Sequence, residues 1–128
     1  EVRYELANLS EMDISCSFGT EINLSFASPD REAVRASIPG DEKSQFDLSS
    51  LSSRAASAIG IQDIYNETGL DLSFSKEAEL WSLPVVAVIR HGSGDERKYQ
   101  SSCFIPRWNL SLGAKELWDC EVILSFAS

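Results

Sequence analysis

Glu21-Ile-Asn-Leu-Ser-Phe-Ala-Ser28 is answered far down the chain by Glu121-Val-Ile-Leu-Ser-Phe-Ala-Ser128. In both phrases the apolar residues alternate: Ile22, Leu24 and Phe26 in the first, Val122, Leu124 and Phe126 in the second. A strand turns successive side chains to opposite faces, so each phrase reads as a half-buried β-strand with its Leu and Phe inward. Shorter echoes stand at Asp47-Leu-Ser, Asp71-Leu-Ser-Phe and Asn109-Leu-Ser-Leu. An antiparallel β architecture follows from this pattern, and no motif for chemistry accompanies it.

Working outward, Met12 to Phe18 alternates and ends at Gly19-Thr20, which predicts a hairpin with the Glu21 strand. Ser28-Pro29-Asp30-Arg31-Glu32 reads as a short helix start: serine cap, proline at the first position, acids in the first turn. Leu48, Leu51, Ala55, Ala58 and Ile59 fall at helical spacing and predict a longer helix ending near Gly60. Leu70 to Phe74 is a strand after the turn Asn66-Glu-Thr-Gly69, and Lys76 to Leu80 reads as one helical turn. Val85-Val-Ala-Val-Ile89 is apolar on both faces, the pattern of a covered central strand. The turn His91-Gly-Ser-Gly-Asp95 leads into Arg97 to Ile105, Pro106 breaks that strand, and Trp108/Leu110/Leu112 resume. The closing strand, Glu116 to Ala127, puts Trp118, Cys120, Val122, Leu124 and Phe126 on one face. The expected fold is α+β and β-dominated: an antiparallel β-sandwich or half-barrel meander with one flanking helix, residues 1–128 forming a single β-rich domain.

With 43% hydrophobic and 24% charged residues, the composition is that of a globular protein. The longest apolar run, Leu83 to Ile89, is far short of a membrane span and contains Pro84. The N-terminus shows neither a basic region nor an apolar signal core, so no targeting segment is expected in this sequence. A net charge of −9, without a basic stripe, argues against groove binding of nucleic acid. A repulsive wall would suit a channel that passes DNA without holding it.

Cys16, Cys103 and Cys120 are odd in number and widely spaced, and His91 is the sole histidine, so a Cys/His zinc site is not expected. The cysteines read as buried small hydrophobes, with one disulfide and a spare thiol as the alternative. His91 has Ser93 and Asp95 beside it, but neighbours in one Gly-rich turn do not build a triad, and a solvated turn histidine is the simpler reading. Carboxylate pairs such as Glu77/Glu79 arise freely among 20 acids. Trp108 and Trp118 lie on inward patterns, whereas Trp81, near Pro84, is the freest of the tryptophans. Asn8, Asn23, Asn66 and Asn109 all open Asn-x-Ser/Thr, which leaves glycosylation open, although repetition of one strand phrase accounts for most of them.

Residues 85 to 127 carry an apolar strand, a Gly-rich hairpin turn, Cys103-Phe-Ile-Pro-Arg107, Leu110-Ser-Leu-Gly113 and a closing alternating strand. This third of the chain resembles tail-tube and related tail proteins of long-tailed bacteriophages. The resemblance implies a non-enzymatic virion component whose sheets join into rings that stack into a DNA-conducting tube. Partners would be further copies and other structural proteins, with no cofactor, small-molecule ligand, membrane or specific nucleic acid. The assembly strands would carry Ile22, Leu24, Phe26, Val122, Leu124 and Phe126; the last strand has a poorly guarded edge if it lies outermost, and it or the Glu21 strand would pair with a neighbouring copy. The alternative is a secreted β-sandwich binding module, glycosylated or not, using Trp81 and His91 as ligand contacts.

Overall fold

A computed structural model describes residues 1–127, apart from the side chain of Glu42. Its elements are β1 (Val2–Ala7), β2 (Ile14–Gly19), β3 (Ile22–Leu24), β4 (Val34–Ile38), β5 (Asp41–Phe46), β6 (Ser52–Asp63), β7 (Thr68–His91), β8 (Gly94–Leu112) and β9 (Leu117–Ala127). Every pairing is antiparallel. The architecture is held by β7, a 24-residue strand that changes partner along its length. Its first part, Gly69 to Phe74, lies between β6 and β9, while Glu79 to Ser82 lies between β6 and β8. The exchange takes place at Ser75 to Glu77, opposite a register shift in β6 between Ala56 and Ala58. One sheet therefore runs β1-β9-β7-β6-β4-β5, and the second joins the start of β6 and the end of β7 to β8, flanked by β2 and β3.

The core follows from period-two alternation on these long strands. Ser102, Phe104, Pro106, Trp108, Leu110 and Leu112 of β8 all point inward and are buried. They meet Ile59, Ile61, Leu70, Leu72, Phe74, Cys120 and Val122 from the other sheet. At one end Trp108 stacks on Phe18 at 6.1 Å and meets Phe74 at 6.0 Å and Trp118 at 5.4 Å. The Trp108 indole N–H donates to the Lys76 carbonyl at 3.1 Å, so the ring is buried without losing its hydrogen bond. Pro106 does not break β8 as expected. Its carbonyl accepts from Thr20 N–H at 3.2 Å, so the missing N–H faces the gap between β2 and β3, where no ladder bond is lost.

Several expectations are corrected. No flanking helix forms among the described residues, and the chain is all-β. The helical spacing over 48–59 is a loop through Leu51 followed by a bulged strand from Ser52: Ala56 points inward before the register shift and Ile59, Ile61 and Asp63 after it, so a one-residue phase change imitates a helical period. The serines there are poor helix formers and disfavour the alternative. The helix start at Ser28 becomes a turn, in which Ala33 and Val34 N–H both donate to the Asp30 carbonyl, and Lys76 to Leu80 is strand. β2 and β3 do not pair as a hairpin but lie end to end along β8. The Glu21 phrase is strand only over Ile22–Leu24, with Phe26 buried in the loop beyond.

The two ends of the apolar pattern fare differently. Val122 is buried and Leu124 half-buried, but Phe126 is 67% exposed, because β1 pairs with β9 only as far as Val122 and leaves 123–127 at the rim. β9 stands behind β1 in the sheet and is not its outermost strand. Val85 to Ile89, expected to be central, is the opposite: β6 has ended, β8 is the sole neighbouring strand among the described residues, and Val85, Val86, Val88 and Ile89 are all exposed.

Candidate functional site

Odd residues on the last part of β7 and on β8 point away from the core, which brings Glu79 and Trp81 beside Arg107 and Asn109 on the outer face of the second sheet. Trp81 is half-buried, and its indole N–H donates to Glu79 Oε1 at 3.0 Å. The same oxygen accepts from Ser53 Oγ at 3.1 Å, and Arg107 donates to Glu79 Oε2 at 3.3 Å. The Arg107 guanidinium lies 4.8 Å from the Trp81 ring centroid, within cation–π range. Its other terminal nitrogen donates to Ser17 Oγ at 3.1 Å, and Ser17 in turn donates to Asn109 Oδ1 at 2.7 Å. A continuous polar relay thus crosses four strands from Ser53 to Asn109.

This relay fixes the Trp81 ring and sets the charge on the carboxylate. Hydrogen bonds from Trp81 and then Ser53 hold the Glu79 carboxyl below the usual carboxylate range, with burial opposing and the Arg107 charge assisting. On one side of the relay, Leu51, Ser52, Ser53 and Trp81 line a slot of ≈ 330 Å³. On the other, Lys76, Glu77, Glu79, Arg107 and Asn109 border a trough of ≈ 440 Å³. An aromatic face beside a fixed array of carboxylate, guanidinium, amide and hydroxyl groups can take a ligand with both apolar C–H and hydroxyl surface. A pyranose ring is such a ligand. A depression of ≈ 450 Å³ on the first sheet is lined by Arg35, Gln45, Gln62 and Asp71 but has no aromatic wall.

Trp81 and His91 do not share a site. Ten residues of extended β7 separate them, about 33 Å of strand, and His91 Nε2 is engaged by Glu96 Oε2 at 2.8 Å. Glu79, Arg107, Ser17 and Ser53 were not legible as a site, since they come from four strands and only the register unites them. Trp108 is core, and Trp118 is half-buried at the edge of the aromatic group, with Lys76 Nζ 5.2 Å from its ring centroid. Cys103 and Cys120 are buried, but Cys16 is exposed, and all three are free thiols. Burial, aided by Glu21, pushes the Cys103 thiol up to about 11. Asn8 is buried and its amide donates to the carbonyls of Met12, Leu112 and Gly113, which leaves no room for a glycan on it. Among the described residues no three His, Cys, Asp or Glu side chains gather as a metal site.

A family model described as "Alpha-amylase/4-alpha-glucanotransferase, C-terminal" matches residues 1–122. The chain is 34% identical over 124 residues to "Alpha-amylase 1" of Dictyoglomus thermophilum, covering 95% of this chain but 17% of that protein. Among solved structures, the 4-alpha-glucanotransferase of Thermococcus litoralis shares the fold at a TM-score of 0.64 and 16% identity, over 95% of this chain and 15% of that one. The Slr1438 protein of Synechocystis sp. PCC 6803 does so at a TM-score of 0.62 and 14% identity, over 98% of this chain and 49% of that one. The tail-tube resemblance, and with it the virion component, the DNA-conducting ring and the virion location, is overturned by these matches. Alternating strands and Gly-rich turns are common to many β-meanders, and a strand-by-strand likeness does not separate them.

Proposed function

We propose that this chain, which belongs to the alpha-amylase/4-alpha-glucanotransferase C-terminal family, is a non-catalytic module of a larger enzyme acting on α-linked glucans, and that its Trp81 face holds a glucan chain. The relative and the solved neighbour named for glucan chemistry are both far longer than this chain, which supports placing the catalytic groups outside it. Glu79, the carboxylate best placed on the outer face, is already bonded to Trp81, Ser53 and Arg107, as expected of a group that positions an aromatic ring rather than one that transfers protons. The observation that carries the glucan reading is the indole of Trp81, held at its N–H edge by Glu79, with Arg107 over the ring, beside an open slot.

Affinity electrophoresis of the full polypeptide through soluble amylopectin tests it. Trp81→Ala is expected to weaken retention about tenfold, equivalent to ~1.4 kcal/mol, while Tyr65→Ala on an exposed turn leaves it unchanged. Unaltered retention by a folded Trp81→Ala protein would refute the glucan face.

A further inference from the structure

Glu79↔Arg107 is the pair at which β7 and β8 part: on one side of it β7 joins β9 at Phe74↔Val122, while β8 continues beside β2. The trough of ≈ 440 Å³ opens in the cleft between them. Trp108 and Trp118 line it, and the Trp108 indole N–H crosses from β8 to the Lys76 carbonyl of β7 at 3.1 Å. Around Trp81 the polar groups are committed to one another: Glu79 accepts from Trp81, Ser53 and Arg107, and Arg107 also donates to Ser17. Three groups bordering the trough are uncommitted. Among the described residues the Glu77 carboxylate has no hydrogen bond or ion pair, and the Asn109 amide N–H groups donate to nothing although its Oδ1 accepts from Ser17 at 2.7 Å. Trp118 is the third, since the indole N–H groups of Trp81 and Trp108 are bonded and its own is not.

We propose that the glucan at Trp81 continues past Arg107 into this trough, where Glu77, Asn109 and the Trp118 indole N–H bond its hydroxyls, so that the site takes an α-linked oligomer of several units rather than one sugar or two. The proposal rests on the glucan reading of Trp81 and adds to it the direction and length of the bound chain. A hydroxyl that leaves water needs a new partner to offset the loss. Trp81 and its committed neighbours offer mainly apolar contact, and the trough supplies the donors and acceptors they lack. The reach agrees: Trp81 and Lys76 are five residues apart on β7, about 17 Å of extended strand, which is several sugar rings. Lys76 Nζ stands over the Trp118 ring, 5.2 Å from its centroid, so Trp118 presents its N–H edge to a ligand and not a stacking face.

Fluorine NMR of the full polypeptide labelled with fluorotryptophan tests this, with the Trp81 and Trp118 signals assigned by Trp81→Phe and Trp118→Phe. The probes are sulfur-linked analogues of maltose and maltohexaose, which resist cleavage during the titration. The longer probe is expected to move both signals with a single midpoint, and the shorter to move Trp81 without Trp118. Glu77→Ala combined with Asn109→Ala, both exposed and clear of the core, should raise the midpoint for the longer probe about tenfold or more, the loss expected of two hydrogen-bonding side chains. A Trp118 signal that stays still while Trp81 responds to the longer probe, or an unchanged midpoint in the folded double variant, would overturn the trough and leave the Trp81 reading standing. A maltose analogue that moves both signals together would overturn the length of the site. Two unmoved signals, or a response of Trp118 alone, would overturn the trough and the Trp81 reading together.

Discussion

The twin phrases invite a paired experiment, because the same residue in the same local sequence has opposite surroundings. Phe26 is 8% exposed and packs into the core, while Phe126 is 67% exposed at the sheet rim. An aromatic side chain offers about 200 Å² of surface, and burial is worth ~25 cal/mol per Å². Phe26→Ala removes nearly all of that from the interior and leaves a cavity, for a cost of ~3–5 kcal/mol. Phe126→Ala removes about a third of it with no enclosed void, so its cost is ~1.6 kcal/mol at most. In urea, with a slope of about 2 kcal/mol/M, the first shifts the midpoint by roughly 2 M and the second by about 0.8 M at most. Equilibrium unfolding of the two variants, followed by tryptophan fluorescence at unchanged slope, measures both. Equal midpoint shifts would mean that the terminal strand is buried along its whole length, and the rim assignment would fail.

Two further outcomes follow from the thiols and from Glu79. A disulfide-exchange reagent at neutral pH should modify Cys16 alone in the folded protein and all three thiols after denaturation, because Cys103 and Cys120 are buried and the Cys103 thiol is held up to about 11; two fast-reacting thiols would contradict this. The Glu79 carboxyl lies below its unfolded value, so its contribution is complete above the ordinary carboxylate range and is lost as pH falls through the lowered folded value; the Trp81 indole N–H resonance should therefore hold steady through that range and move only below it, a transition that Glu79→Gln removes.

The strands were legible where burial is one-sided and uninterrupted. Leu70 to Phe74 and Trp108/Leu110/Leu112 show plain alternation and appear in the structure with their apolar residues inward. Reading failed where a local signal had two physical sources. The bulge in β6 produced a helical spacing without a helix, and Pro106 resembled a break because the interruption beside it lies in the neighbouring strands. Val85-Val-Ala-Val-Ile89 has the composition of a covered strand and the exposure of a surface one; apolar composition records a need for cover but not which part of a protein supplies it. β1 was missed, since Val2, Tyr4 and Leu6 alternate only briefly among charged residues. Of the site, only Trp81 was visible, because its partners are adjacent through register and not through sequence.

That register binds the site to the core. On β7 and β8 the even residues Leu80, Phe104, Pro106 and Trp108 are buried while Glu79, Trp81, Arg107 and Asn109 face outward. A slip of one residue would put Glu79 and Arg107 into the interior and Phe104 and Trp108 into water, so hydrophobic packing alone fixes which groups stand beside Trp81. Gly19 refines the placement. It pairs with Arg107 across β2 and β8, and a Cβ there would lie 3.4 Å from the Arg107 Cβ and 3.3 Å from the Pro106 carbonyl oxygen. The bare backbone at Gly19 spares a tight contact with the Pro106 carbonyl where β2 runs beside β8, the pairing that also brings Ser17 to Arg107. The outer face is thus positioned by the same alternation that fills the core.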